Sequence, residues 1–64
     1  MIGSKIAALR IKAGESQIEL AAAIGSNQGA ISHYEAGKHL PGLKIAAKIA
    51  AHYGVTIEYL NEEE

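Results

Sequence analysis

Four glycines, Gly14, Gly25, Gly37 and Gly54, cut this chain into short segments in which apolar residues recur every three or four places. That recurrence marks one face of a helix, and a glycine just past it marks the stop. Ile2, Ile6, Leu9 and Ala13 predict a first helix from about Ile2 to Lys12. Ser16 caps a second, Gln17–Ile24, with Glu19 three residues on as the reciprocal partner of a capping box. Asn27 caps a third, Gln28–Glu35. Pro41 has a fixed φ and no amide hydrogen, so it suits the first turn of a fourth helix whose inner face reads Leu43, Ala46, Ala47, Ala50 and Tyr53. Thr56 caps a last short helix carrying Ile57 and Leu60. Alternating strand patterning is absent apart from a few residues around Val55.

A chain of 64 residues makes one domain with one small core. It has no cysteine, so neither a disulfide nor a thiolate zinc site is available, and a reducing, cytoplasmic setting is expected. No run approaches the roughly 18 unbroken apolar residues of a membrane span. The formal charge is −1, but Glu62, Glu63 and Glu64 supply three of the seven acids. Residues 1–61 therefore carry six bases against four acids, a net of +2, followed by an acidic tail at 62–64 that is expected to fray.

The joint between the second and third helices carries the most information. Ala21, Gly25 and Ile31 are the fifth, ninth and fifteenth residues counted from Gln17. The fifth must be small where another helix crosses, the ninth must allow a left-handed backbone, and the fifteenth must be apolar to plug the angle. Leu20, Ile24 and Tyr34 complete the expected contacts. Behind this joint the third helix has an apolar back, Ile31 and Tyr34, and a front of Asn27, Gln28, Ser32 and His33.

With these pieces in place the sequence resembles the phage-repressor and Cro-like helix-turn-helix family, the lambda-repressor-like DNA-binding domains. The likeness runs from about Lys5 to Leu60, through SQIELAAAIGSNQGAISHYEAGKHLPGL and then YGVTIEYL, with a glutamine opening the second helix and Glu-x-Gly-Lys after the third. It implies an all-α fold: a compact five-helix domain over residues 1–61 with the helix-turn-helix at helices two and three. It also implies a sequence-specific regulator of transcription that binds a double-stranded DNA operator as a homodimer and needs no cofactor.

In that family the third helix enters the major groove. Carried over, this directs Gln28, Ser32 and His33 to base edges, and Gln28 can bond adenine bidentately. Ser16, Gln17, Asn27 and Lys38 are the implied phosphate contacts, with His39 a lesser candidate. Arg10 and Glu35 match a family ion pair between helices one and three; beside an apolar stripe the arginine charge needs such a partner. The expected dimer surface is Leu40 to Ile45 with Val55 to Leu60, since Ile45 falls half a turn from the fourth helix's stripe and, beside Ile49, reads as exposed.

Other classes fare poorly. His33, His39 and His52 are separated by six and thirteen residues, which matches no zinc pattern, so no metal is expected. Ser4, Ser16, Ser26 and Ser32 lack a histidine and carboxylate constellation, and a small helical domain offers little concave pocket; neither an enzyme nor a small-molecule site is expected. The rival reading is a protein-interaction or scaffold domain, natural or engineered, that keeps the fold with weak or no DNA binding. Sparse bases, abundant alanine and the acidic tail favour that rival.

Overall fold

The five helices stand where their caps put them. A computed structural model describes residues 1–62 and contains α1 (Ile2–Lys12), α2 (Gln17–Ile24), α3 (Gln28–Glu35), α4 (Leu43–Tyr53) and α5 (Ile57–Leu60). Part of the expected frayed tail, Glu63 and Glu64, lies outside the described residues. Among the described residues there is no strand, and no helix is long and apolar enough to cross a membrane.

Local hydrogen bonds set the boundaries. Ser16 Oγ accepts from the Glu19 amide at 3.0 Å while Glu19 Oε1 accepts from the Ser16 amide at 2.8 Å, so both halves of the capping box are made. Asn27 Oδ1 accepts from the Ala30 amide at 2.9 Å, and Thr56 Oγ1 from the Tyr59 amide at 3.0 Å. α2 stops at Gly25, whose φ of 70° lets the Ser26 amide turn back to the Ala21 carbonyl at 2.8 Å. That left-handed residue reverses the chain within three residues and aims α3.

The helices close a ring. α1 packs on α3, α3 on α2, α2 on α4, α4 on α5, and α5 returns to α1. Ile6, Leu20, Ile31, Ile49 and Leu60, one from each helix, are fully buried at its centre. Each such side chain stabilises the fold by about 1.5–3 kcal/mol relative to exposure. Ile2, Ala21, Ile24 and Ala50 join them, and Leu9, Tyr34, Ile45, Tyr53, Val55 and Ile57 pack around the edge.

Several sequence expectations are corrected. α4 is rotated about its axis: Leu43 is 76% exposed and Ala47 is exposed, whereas Ile49 is fully buried beside Ala46 and Ala50. Turning Ile49 inward removes more apolar surface from water than turning Ala47 inward, so the larger side chain decides the rotation. Ile45 consequently lies half-buried against the core and Leu60 is wholly buried, so the exposed apolar edge centres on Leu40 and Leu43. Pro41 precedes the Gly42 N-cap and lies outside the first turn of α4. Ala13 is exposed as the C-cap of α1; Lys5 is buried instead, with its ammonium 4.5 Å from the centre of the Tyr59 ring.

One contact had no signal in the apolar pattern. At Gly3, α1 lies so close to α3 that a Cβ would stand 3.1 Å from the Tyr34 carbonyl carbon and 3.2 Å from the Glu35 Cα, with the Tyr34 oxygen nearer still. Gly3 falls in the first turn of α1 and leaves that space open. Here it permits the approach that sets α3 against α1.

Candidate nucleic-acid interface

α3 is held by its back. Ile31 is fully buried, Tyr34 and Glu35 are half-buried, and Gln28, Ser32 and His33 are exposed on the opposite side with Gly29. One turn separates Gln28 from Ser32 and Gly29 from His33, so these four make a single front with one bare backbone position. The turn and the Asn27 cap fix that front relative to α2.

The expected phosphate-contacting residues flank it. Ser16 and Asn27 each occupy an N-cap and spend an oxygen on the helix, leaving the Ser16 hydroxyl hydrogen and the Asn27 amide hydrogens as donors. Lys38 is exposed just beyond α3. His39 follows it, and its ring centre stands 5.2 Å from that of His33. These two histidines, six residues apart in sequence, are therefore neighbours at the end of the front. Glu19 is a negative feature: its carboxylate already takes the Ser16 amide. The first-turn amides of Gln17 and Ile18 remain directed out along the α2 axis.

Gln17 is half-buried between the front and the core. Its Nε2 donates to Glu35 Oε1 at 3.1 Å, and its Oε1 accepts from Gln28 Nε2 at 3.4 Å. The structure brings Arg10 and Glu35 together: Arg10 Nε donates to Glu35 Oε2 at 2.7 Å and one Nη to Glu35 Oε1 at 3.1 Å. The other Nη donates to the Glu15 carbonyl at 2.8 Å. Glu35 raises the Arg10 pKa further above its ordinary value, chiefly through the hydrogen bond. The pair is partly buried, with side chains 15% and 10% exposed, so removing one partner leaves the other charge poorly solvated.

The polar chain continues to α4 through residues that local sequence patterns did not link. Glu15 Oε1 accepts from the Tyr53 hydroxyl at 2.6 Å, and Glu15 Oε2 lies 2.6 Å from His52 Nε2. The Tyr53 hydrogen bond, then His52, pulls the Glu15 carboxyl below its usual range. Burial, together with Glu15, pushes the Tyr53 phenol well above its ordinary value. His52 thus helps tie the α1–α2 loop to α4. Among the described residues no group of three or more histidine, cysteine or acidic side chains could hold a metal ion.

A family model described as helix-turn-helix matches residues 6–60. Among solved structures, the chain is similar to the P22 c2 repressor protein, determined in complex with synthetic operator 9T in the presence of Tl+. The two share 23% sequence identity at a TM-score of 0.93, over 100% of this chain and 97% of that one. No curated protein matches the sequence. The structural likeness establishes the fold and the family model covers most of the chain: this protein belongs to the helix-turn-helix family, of the phage-repressor and Cro-like type.

Proposed function

We propose that the chain is a sequence-specific regulator that binds double-stranded DNA in the manner of a repressor or Cro protein, laying α3 in the major groove. The observation that carries this reading is the division of α3: an apolar back locked into the core and a polar front left in solvent. Gln28, Ser32 and His33 offer that front to base edges, with Gln28 as the adenine reader. Ser16, Gln17, Asn27 and Lys38 fix register on the phosphates without reading sequence. The protein acts in the cytoplasm by occupying an operator and performs no chemistry.

Size is compatible with a homodimer on two half-sites. The Cα framework measures 25 × 24 × 21 Å, whereas successive major-groove half-sites on one duplex face are roughly 34–36 Å apart. One copy covers one half-site, and Leu40 and Leu43, each 76% exposed, give two copies an apolar edge to share.

One feature favours the rival scaffold reading: Glu19 sits on the amide end of α2, where a phosphate would otherwise be attracted. Selection of the purified protein against random duplexes separates the two, with the winners re-measured at two salt concentrations. A DNA reader enriches one motif with two related half-sites and loses affinity steeply with salt. A scaffold enriches nothing.

A further inference from the structure

We infer that Glu35 is a positioning residue for base reading: its carboxylate, held by Arg10, dictates which way round the Gln28 amide is presented to DNA. The inference rests on the DNA-reading proposal above. It adds that specificity at one base pair is set at the far end of α3, by a group that never touches DNA.

Donors and acceptors decide the orientation. Both oxygens of Glu35 receive hydrogens from Arg10, so the group has only acceptor atoms to offer. Gln17 reaches Glu35 Oε1 at 3.1 Å and must therefore turn its NH2 end toward it. That leaves the Gln17 oxygen facing Gln28, and Gln28 must turn its own NH2 end inward to meet it at 3.4 Å. An amide in isolation is free to flip, and only its hydrogen-bond network decides which end is oxygen. Here two successive amides are decided by one carboxylate. Gln28 is left with its oxygen and one amide hydrogen for a base edge, in a fixed left-to-right order. Adenine presents its donor and acceptor in a fixed order too. A reading group oriented before binding loses less freedom when it binds.

The test compares three variants by the ratio of affinities for the selected site and for the same site altered at the base pair opposite Gln28. Glu35→Gln keeps the shape but replaces an acceptor-only group with one that also donates, so Gln17 can reverse. Gln17→Met cuts the relay without touching the ion pair. Arg10→Lys disturbs the pair yet leaves Glu35 an acceptor. We expect the first two to lower that ratio by about twofold or more, the cost of selecting one of two amide orientations on binding. Arg10→Lys should keep the ratio even if it melts earlier. A merely structural role predicts something else: affinity falls equally on both sites in every variant and the ratio stays at the wild-type value, which would overturn the inference while leaving DNA reading intact. Should the wild-type protein prefer no sequence at all, the DNA-reading proposal fails and this inference fails with it.

Discussion

Gln28 and Tyr53 show how differently two hydrogen-bonding side chains are used. Gln28 is exposed, and its long bond to Gln17 contributes little to the fold. Gln28→Ala should therefore leave the melting temperature unchanged while weakening discrimination at one base pair by about 1–3 kcal/mol, measured by competition binding. Tyr53 instead donates to a carboxylate, and hydrogen bonds to charged groups are worth about 1.5–3 kcal/mol. Tyr53→Phe should cost roughly that much in a denaturant melt. It should also move the Glu15 carboxyl back toward its ordinary 4.5, followed by carbon-detected NMR titration. The sign is fixed by linkage. A carboxyl held low in the folded state stabilises fully above its ordinary value, and that contribution is lost as pH falls through the lowered one. The acid-side loss of stability should be shallower in Tyr53→Phe. The phenol runs the other way: raised in the folded state, it stabilises below its ordinary value of 10.0 and ceases to as pH rises through the raised one.

At the scale of elements, caps were legible and rotations were not. Ser16 with Glu19, Asn27 and Thr56 bond to amides three residues away or fewer, so their sequence spacing already contains the geometry. α4 reads LKIAAKIAAHY: Lys44, Lys48 and His52 recur every four residues and mark an outer face, but the apolar residues spread over the rest leave Leu43, Ala47 and Ile49 all eligible for the inner one. What selects it is the space left by α2 and α5, which appears only on assembly. Ile49→Ala should consequently cost about 2–5 kcal/mol, whereas Leu43→Ala should change monomer stability by less than about 0.5 kcal/mol; thermal melts of both variants check the rotation. Gly3 poses the sharpest conflict between element and packing. Helix propensity alone would have Gly3→Ala stabilise α1, by less than the ~1 kcal/mol of a helix interior because Gly3 lies in the first turn. The Tyr34 and Glu35 backbone blocks the added methyl, so a net loss of about 1–3 kcal/mol is expected in a denaturant melt.

For the whole molecule, the residues of the candidate interface come from three places in the chain that only the ring of helices gathers. The front of α3 was readable because Gln28, Ser32 and His33 alternate with Ile31 and Tyr34 at helical spacing. The Arg10 and Glu35 pairing came through family resemblance, since no local rule links residues 25 apart. The Glu15, His52 and Tyr53 cluster joins residues 37 and 38 apart and left no trace in any motif. The polar line from Gln28 to Tyr53 thus ties the exposed front to α1 and α4, so the front is backed by the same contacts that hold the fold. The measurement that reaches this claim most directly is amide and side-chain chemical-shift mapping as the selected duplex is added to labelled protein. Perturbations concentrated at Gln28, Ser32 and His33, with Ser16, Gln17, Asn27 and Lys38 at the margin, are the expected result. Perturbations confined to Leu40, Leu43 and the outer face of α4, with α3 silent, would contradict it.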